Sequence, residues 1–552
     1  MNDIRRTILW VVFGFSVIML WDQWQIHNGK KPTFFPSVNP VATNVATQTP
    51  NTPPTAVVQE SMPSLPSETN NATTHDTASA LEIETDVLKL RFDHLGANVT
   101  RAELIQHKDA HHQDSNVVLM DNSKERVYLA QTGLVGAPVG TAWPTHKTAM
   151  RLVSPSRFKD GEDSLVLRFE SDVMGGVKLI KSYTLHKKSY VIGVQHEILN
   201  QSGQSITPQI YVQLVRDGNK PEGESSFYST FTGPAVYTSA KKYQKVEFAD
   251  IEKNKADFEK KSDIGYVAMV QHYFASAWLM DDAQTRDIYA RKIDNNLYSV
   301  GMVVPLPTQA NESQSIHQAK LFVGPQEEKL LENLYPGLEL VKDYGWLTIL
   351  AKPLYWLLDK LFGFIGNWGW SIVALVVLLK IAFYWLNSQA YKSMGKMKAI
   401  NPKIMEMRER LKDNPQQMQM EMMKIYREEK VNPLGGCLPI AVQIPFFIAL
   451  YWVLLSSVEM RNAPWVGWVH DLAAPDPWFI LPLLMTATSL LQTWLNPTPP
   501  DPVQAKMMWI MPLAFSVMFF FFPAGLVLYW LSNNILSIAQ QWMINKQLGV
   551  LK

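Results

Sequence analysis

The sequence has little that would suit a disulfide-bonded secreted protein, a nucleic-acid binder or an ATPase. It contains one cysteine, Cys437, in 552 residues, so no disulfide can form within the chain. Its 51 Lys and Arg nearly balance 50 Asp and Glu, and a net charge of +1 excludes a global basic field. The G-x-x-x-x-G-K-[ST] pattern is absent, which excludes ATP hydrolysis by that kind of loop. We expect no cofactor.

A small-x-small cleavage site is also missing after the first apolar run. Arg5 and Arg6 precede this run, which extends from Ile8 to Trp21 and is followed by "DQWQIHNGKK". We therefore predict an uncleaved signal anchor over residues 1–27 with its N-terminus in the cytoplasm; a cleaved signal peptide is the alternative. Residues 28–80 hold eight prolines among Thr, Asn, Ser and Ala, a composition typical of a flexible linker.

Residues 81–335 alternate between apolar and polar positions with a period of two. The segments "DVLKLRFD", "SLVLRFE", "SYVIGVQHEI" and "PQIYVQLV" show this alternation, and turn signals such as "NQSGQS" and "RDGNK" separate them. Many such strands predict an antiparallel β-sandwich.

Residues that carry chemistry are few in this domain. "HKDAHHQD" holds His107, His111 and His112, for which an exposed loop is favoured over a metal site. No nucleophile stands beside a base in a recognisable pattern. A scaffold or interaction domain is therefore favoured, with a sugar-binding or sugar-modifying sandwich as the alternative.

The second half of the chain is rich in Trp, Phe, Leu and Met. Residues 338–364 mix charges with apolar residues at helical spacing and predict an interfacial amphipathic helix, kinked near Pro353. A membrane-spanning core is predicted over 365–545. Its five spans, each near the ~20 residues that cross a bilayer, are placed at 368–386, 438–458, 478–495, 507–522 and 524–543.

Lysine and arginine in the loops predict the orientation of these spans. The segment 387–436 is basic, whereas 459–477 contains only Arg461. The positive-inside rule therefore places 387–436 in the cytoplasm and the β-sandwich outside, with both chain termini in the cytoplasm.

The cytoplasmic segment 387–436 is predicted to form a helical hairpin. Asn414 and Pro415 resemble an N-cap and first helical residue, with Gln417 three residues after the cap. Its methionines either pack the two arms together or form an adaptable surface for varied partners. The candidate contact residues of the hairpin are Lys392, Lys396, Arg408, Arg410, Met418 and Met422.

Polar residues inside the predicted spans fall on shared faces. Lys380 lies past the middle of the first of the five spans, where a charge costs about 2.5–3.5 kcal/mol on insertion scales. Either it extends to the cytoplasmic headgroups, or it faces a polar cavity within the membrane; the other polar faces favour the cavity. The candidate cavity-lining residues are Gln443, Ser489, Gln492, Trp530, Asn534 and Ser537, with Gln541 on the same face of the last span.

Several motifs of this half resemble the YidC/Oxa/Alb family of membrane protein insertases. They include "VNPLGGCLPIAVQIPFFIALYWVLLSSVEMR", "WVHDL", "DPWFILPLLM", "DPVQAKMMWIMP" and "FPAGLVLYWLSNN". Six spans with a large outer β domain are similar to the form of this family in Gram-negative bacteria. The resemblance covers essentially the whole chain and implies a bacterial inner-membrane protein that is not an enzyme.

The resemblance implies a groove that is open to the cytoplasm and lined by an arginine, whose position Lys380 occupies here. Charge is retained, but the bidentate fork of arginine is lost. It also implies that the β domain acts as a scaffold, although it resembles sugar-mutarotase sandwiches. The implied partners are nascent inner-membrane proteins, the Sec translocon with its accessory subunits, the ribosome, the signal recognition particle machinery and membrane lipid.

We expect the client tail to be held near Lys380 while the client span slides along apolar residues of two spans. These slide residues are Phe447, Leu450, Met518, Phe519 and Phe522. Because the tail at 546–552 is short, ribosome contact would depend mainly on the hairpin and loops. A secondary transporter with an intramembrane cationic site is the alternative, although the inverted repeat typical of that class is not evident. A membrane-anchored carbohydrate enzyme ranks third.

Overall fold

The computed structural model describes residues 80–109, 114–221, 230–280, 284–411, 414–429, 438–496 and 502–547. The predicted signal anchor, nearly all of the linker, His111, His112, Cys437 and the last residues of the tail lie outside these ranges. The described residues form two compact units. The sandwich unit comprises residues 80–352 together with Tyr451–Ala463, and the helical unit comprises the remaining residues from Pro353 onward.

Eighteen strands of the described chain build the sandwich unit. In chain order β1 to β18, they are Leu81–Glu84, Leu88–Phe92, Val99–Lys108, Asn116–Asn122, Val127–Val135, Met150–Leu152, Ser164–Ser171, Val177–His186, Val191–Asn200, Gln209–Asp217, Gly233–Thr238, Lys242–Lys245, Lys261–Ser262, Gly265–Val270, Phe274–Leu279, Arg286–Asp294, Leu297–Pro305 and Gln314–Pro325. Two short helices accompany them, α1 (Phe248–Glu252) and α2 (Glu328–Leu334).

The strands form two nine-stranded antiparallel sheets. Their orders are β1-β2-β3-β4-β5-β10-β17-β16-β13 and β12-β11-β14-β15-β18-β9-β8-β7-β6. The alternation that predicts a strand at Leu88–Phe92 recurs in its burial, because Leu88, Leu90 and Phe92 are buried while Lys89 and Arg91 are half-buried. The predicted antiparallel sandwich is confirmed. Trp278 links the two sheets, since its Nε1 donates to the Gln213 carbonyl at 3.0 Å.

Some of the polar side chains buried inside the sandwich form hydrogen bonds within the chain. Lys181 is fully buried, and its Nζ donates to the carbonyls of Gly96 and Thr132, both at 2.7 Å. Burial lowers the pKa of Lys181 from 10.5 to about 7. His196, also buried, has its Nε2 2.9 Å from Thr132 Oγ1. Burial and the nearby Lys181 ammonium lower the pKa of His196 to about 3.

The segment Tyr451–Ala463 is far along the chain from the strands and yet belongs to the sandwich unit. Val458 is 2% exposed and is part of the sandwich core. Glu459 accepts two hydrogen bonds from Lys342 Nζ, at 3.0 and 3.1 Å, and the Lys342 side chain is 0% exposed. Arg461 donates to the Lys108 carbonyl at 2.8 Å and lies over the Phe274 ring. Apolar contact, an ion pair and a hydrogen bond thus hold this segment.

His107 is more buried than the predicted exposed loop would make it. It lies at the end of β3, its Nε2 is 3.3 Å from the Tyr190 hydroxyl, and its ring packs edge-on against Phe274. Burial, with the nearby Arg461, lowers the pKa of His107 to about 4. Within the described ranges, no group of three or more His, Cys, Asp or Glu could hold a metal ion.

Helices make up the rest of the described chain. They are α3 (Thr348–Ile365), α4 (Trp368–Ala382), α5 (Tyr384–Arg410), α6 (Pro415–Glu428), α7 (Leu438–Ser456), α8 (Ile480–Leu495), α9 (Pro502–Phe519) and α10 (Ala524–Gln547). Short 3-10 turns occupy Leu338–Val341, Gly345–Leu347 and Val458–Met460. The predicted interfacial helix therefore begins later than residue 338, and Pro353 lies inside α3.

The predicted span 368–386 is not one straight helix. It divides at Phe383, and α4 and α5 are bent by 70° at this junction. By length and mean hydropathy, none of the described helices is sufficient by itself for a membrane span, whereas this bent pair together meets the criterion. Shorter apolar helices are Val442–Ser456, Ile480–Leu495 and Ala505–Phe519.

Candidate functional site

Lys380 is positioned by a helix with a well-defined start. The Asn367 side chain caps α4 by accepting a hydrogen bond from the Trp370 backbone N–H at 3.0 Å. The helix ends at Ala382, so Lys380 lies in its last turn, where the helix dipole favours a cation. The ammonium therefore lies just before the bend at Phe383.

A serine of α10 holds the Lys380 ammonium. Lys380 Nζ donates to Ser537 Oγ at 2.7 Å, and Ser537 Oγ in turn donates to the Asn533 carbonyl at 2.7 Å. The hydroxyl proton is thus used within α10, and its oxygen is left to accept from the lysine. Lys380 itself is half-buried, whereas Ser537 is 3% exposed.

Gln443 of α7 meets a residue that the sequence analysis does not single out. Its Nε2 donates to Asn387 Oδ1 of α5 at 2.5 Å, and Asn387 is 6% exposed. Nearby, the rings of Phe383 and Phe446 pack edge-on with centroids 5.1 Å apart. These contacts join α7 to α5 at and beyond the bend.

Lys380, Asn387 and Gln443 line one recess within the helical unit. Its other lining residues are Val376, Leu379, Phe383, Phe446, Phe447, Tyr529 and Asn533. The walls are mainly apolar, with one cation and three amides among them. Of the predicted cavity residues, the recess brings together Lys380 and Gln443, with the slide residue Phe447 on its wall.

Three of the other predicted polar residues, Ser489, Asn534 and Gln541, form interhelical hydrogen bonds away from that lining. Asn534 Nδ2 of α10 donates to Ser489 Oγ of α8 at 2.9 Å. Two turns further, Gln541 Nε2 donates to Asn496 Oδ1 at 2.9 Å. Gln492 is half-buried on α8 between these two contacts. These pairs join α8 to α10.

Trp530 lies in an aromatic cluster with three of the predicted slide residues. Its ring centroid is 4.7 Å from that of Phe447, 4.4 Å from Phe519 and 6.2 Å from Phe522. Phe519 and Phe522 are each 4% exposed and Leu450 is 0% exposed, whereas Phe447 and Met518 are half-buried. Most of the slide residues therefore pack inside the helical unit.

The predicted hairpin corresponds to α5 and α6, which pack against each other. Ile400, Ile404 and Met407 of α5 form an apolar cluster with Met418 and Met422 of α6. The Asn414 cap is confirmed, because its side chain accepts from the Gln417 N–H at 3.2 Å. The contacts favour the interpretation that these two methionines pack the arms together.

The basic residues of the hairpin lie mostly outside that apolar cluster. Lys392, Lys396 and Arg410 are exposed, and Arg408 is half-buried. Arg410 Nη2 contacts Glu421 Oε1 of α6 at 2.6 Å, which is an exposed pair of little energetic weight.

Asp476 is a second residue that the sequence analysis does not single out. It is 1% exposed and accepts hydrogen bonds from Trp468 Nε1 and from the backbone N–H groups of Trp478 and Leu481. It therefore orders the approach to α8. An aspartate shortly before an apolar helical run was the available signal.

Comparison with known proteins places the whole chain in one family. The family profile described as "YidC periplasmic domain" matches residues 80–357, and that described as "60Kd inner membrane protein" matches residues 360–549. The sandwich unit and the helices after it thus match two successive profiles of the same kind of protein.

Curated relatives match over their full length. Membrane protein insertase YidC of Cupriavidus metallidurans is 52% identical, with 99% of this chain and 98% of the relative covered. Membrane protein insertase YidC of Ralstonia nicotianae is 53% identical, with 100% and 99% covered. A crystal structure of active YidC insertase with its first transmembrane domain resolved is 18% identical at a TM-score of 0.37, covering 83% of this chain and 91% of that one.

The profiles and the full-length relatives confirm the family that the motifs predict. The family assignment does not depend on the structural likeness, whose TM-score is low. The chain belongs to the YidC family of membrane protein insertases.

Proposed function

We propose that this chain inserts inner-membrane proteins by receiving the short polar tail of a client in the recess around Lys380. The observation that carries the proposal is the Lys380 ammonium, which Ser537 holds at 2.7 Å on the wall of the recess. A cation among mainly apolar walls attracts acidic segments, because the low local dielectric strengthens its field. Insertion makes and breaks no covalent bond, so the chain acts as an insertase and chaperone and not as an enzyme.

The free energy for insertion comes from the client. Strongly apolar residues favour the membrane by roughly 0.3–0.6 kcal/mol each, so a whole span supplies several kcal/mol. The obstacle is the transfer of the polar tail through hydrocarbon. The recess shortens the path through hydrocarbon, because it offers polar partners to the tail. The membrane potential assists an acidic tail, by about 2.3 kcal/mol per charge and 100 mV.

The client span then leaves along the apolar faces of α7 and α9. Of the slide residues, Phe447 and Met518 are accessible enough to contact a client directly. Leu450, Phe519 and Phe522 are buried, and we assign them the role of supporting that surface from beneath. The residues that lie beside the path of the client span, and not at its centre, would be Ser489, Gln492, Trp530 and Asn534.

For the topology, we propose six spans with both termini in the cytoplasm and the sandwich unit in the periplasm. The basic hairpin would then face the cytoplasm. Its exposed Lys392, Lys396 and Arg410 provide a surface for the ribosome or the signal recognition particle machinery. The Sec translocon and its accessory subunits are proposed as further partners for larger clients.

The test is insertion of a single-span client with a short acidic tail into liposomes that contain the full chain. Tail translocation is read by protease protection for wild type, Lys380→Arg and Lys380→Ala. We expect wild type and Lys380→Arg to insert the client and Lys380→Ala to lose at least about tenfold in rate, equivalent to ~1.4 kcal/mol. Lys506→Ala, an exposed lysine of α9, is the matched control and should be unchanged.

Two results would contradict the proposal. Equal insertion by wild type and Lys380→Ala would mean that the ammonium merely extends to the headgroups. Failure of wild type with a competent client would mean that the chain does not insert proteins without a partner.

A further inference from the structure

One buried donor on the recess wall is left without an acceptor. Asn387 is 6% exposed, and its Oδ1 is occupied by Gln443 Nε2 at 2.5 Å. Within the described part of the chain, Asn387 Nδ2 is buried and has no hydrogen-bond partner. Buried amide groups are nearly always satisfied, because water is lost on burial and must be replaced. Of the buried side-chain atoms in this state among the described residues, the Asn387 nitrogen is the one that belongs to a residue lining the recess.

Gln443 determines which way the Asn387 amide faces. Because Gln443 donates to the oxygen of Asn387, the nitrogen of the same amide is directed away from that contact. Asn387 and Gln443 both line the recess. The pair thus leaves the N–H donors of Asn387, and not its carbonyl oxygen, without a bond inside the described part of the chain.

The second donor group is Lys380 itself. A lysine ammonium carries three N–H donors, and one of them is given to Ser537 Oγ at 2.7 Å. Lys380 and Asn387 are both lining residues of the same recess. The ligand chemistry that complements donors alone is an acceptor-only group, and a carboxylate is the side chain of that kind.

We propose that Asn387 is a specificity-determining residue, which together with Lys380 binds the carboxylate of an aspartate or glutamate in the client tail. The inference rests on the proposed function of the recess and adds a second contact to it. Lys380 supplies attraction at a distance, whereas the Asn387 amide supplies a directional hydrogen bond. A tail that carries lysine or arginine has donors only and finds no partner at Asn387.

The experiment compares two clients that differ only in the tail, which carries either aspartates or asparagines. Insertion by the full chain in liposomes is measured for wild type, Asn387→Asp and Asn387→Ala. The readout is the ratio of acidic-tail to neutral-tail insertion in the same preparation, so that any loss of folded protein cancels. Asn387→Asp keeps an oxygen for Gln443 Nε2 and replaces the donors by a negative oxygen.

We expect Asn387→Asp to lower this ratio about tenfold or more, because an attractive charge-assisted contact becomes repulsive. Asn387→Ala should lower the ratio about threefold, since it removes the donor without adding a charge. Gln389→Glu is the matched control, because it adds the same charge to the same helix at an exposed position. Its ratio should stay within about twofold of wild type.

The outcomes separate this inference from the function on which it rests. If the ratio stays at the wild-type value in both Asn387 variants, because insertion of the two clients is unchanged or falls equally, the role of Asn387 in specificity is overturned. In either case the proposed function stands if wild type inserts the acidic-tail client and Lys380→Ala does not. Failure of wild type with both clients overturns the proposed function and this inference with it.

Discussion

Lys181 of the sandwich unit and Lys380 of the helical unit differ in how many of their donors are bonded within the described chain. In the sandwich, Lys181 donates to two carbonyls and His196 contacts Thr132, so strands of different sheets are joined. In the helical unit, Lys380 has one serine partner and the Asn387 amide nitrogen has none among the described residues.

This difference shows how a buried polar group acquires a role. A group whose donors and acceptors are filled within the chain fixes the fold, because it can satisfy nothing else. A group on the wall of a recess whose donors are not all bonded within the chain can bond a ligand instead. The sandwich is therefore expected to respond to mutation in stability, and the recess in activity.

The largest effect on stability is expected in the sandwich core. Trp278 is 1% exposed and links the two sheets, so Trp278→Ala should lower the free energy of unfolding by about 3–5 kcal/mol. Pulse proteolysis of the full chain in denaturant measures this, and Val166→Ala on the exposed face is the control. If insertion per folded molecule also fell severalfold in Trp278→Ala, the expected separation between stability effects in the sandwich and activity effects in the recess would be wrong.

The buried ion pair of the sandwich unit should give the next largest effect. Glu459→Gln removes the carboxylate that accepts two hydrogen bonds from the buried ammonium of Lys342 and should cost about 3 kcal/mol. Glu162→Gln, which alters an exposed pair with Lys159, should cost less than about 0.5 kcal/mol. The same denaturant series measures both variants, and equal losses would show that burial of the pair contributes nothing.

Lys181 should make the sandwich more stable as the pH rises. Its pKa falls to about 7 on folding, so the unfolded chain binds more protons between pH 7 and about 10. The free energy of unfolding should rise by about 1 kcal/mol between pH 7 and pH 8. The cause is that the buried amine no longer has to be charged.

The Lys181 effect is tested by unfolding at several pH values, with Lys181→Met as the comparison. Methionine removes the titrating amine, so the rise between pH 7 and pH 8 should be absent in that variant. His196, the titratable neighbour of Lys181, has a pKa of about 3 and stays neutral over this range. An unchanged rise in Lys181→Met would assign the pH dependence to another group.

The smallest effect is expected for an interhelical contact. Asn534→Leu removes the 2.9 Å hydrogen bond to Ser489 and should cost about 0.6 kcal/mol, as such contacts do in membrane proteins. Thermal unfolding in detergent measures the loss. If this variant instead lost most of its insertion activity at near-normal stability, the functional path would extend beyond the recess.

Much of the fold follows from local patterns in the sequence. Alternation locates β2, β7, β9 and β10, and the Asn414 cap locates the start of α6. The break at Phe383 was not predicted, because neither proline nor glycine is present there to signal one. It arises among tertiary contacts, such as that of the Phe383 ring with Phe446.

Only part of the site was predicted from the sequence, because some of its contacts join residues that are far apart in the chain. Lys380 was evident because a charge within an apolar run is costly. Asn387 was assigned to the basic segment that follows, although it lies seven residues from Lys380 and a helix would place both on one face. Its state depends on Gln443, 56 residues further along, and such a pairing leaves no local pattern.

The Lys342–Glu459 contact has a consequence for the timing of biosynthesis. The two residues are 117 positions apart, and all of α3 to α7 is encoded between them. At about 5–20 residues per second, Glu459 is made roughly 6 to 23 seconds after Lys342. During that interval the strands are all present, but the ammonium lacks its partner and the core lacks Val458. The last step of sandwich folding therefore waits until a helix-rich stretch of the same chain has been made.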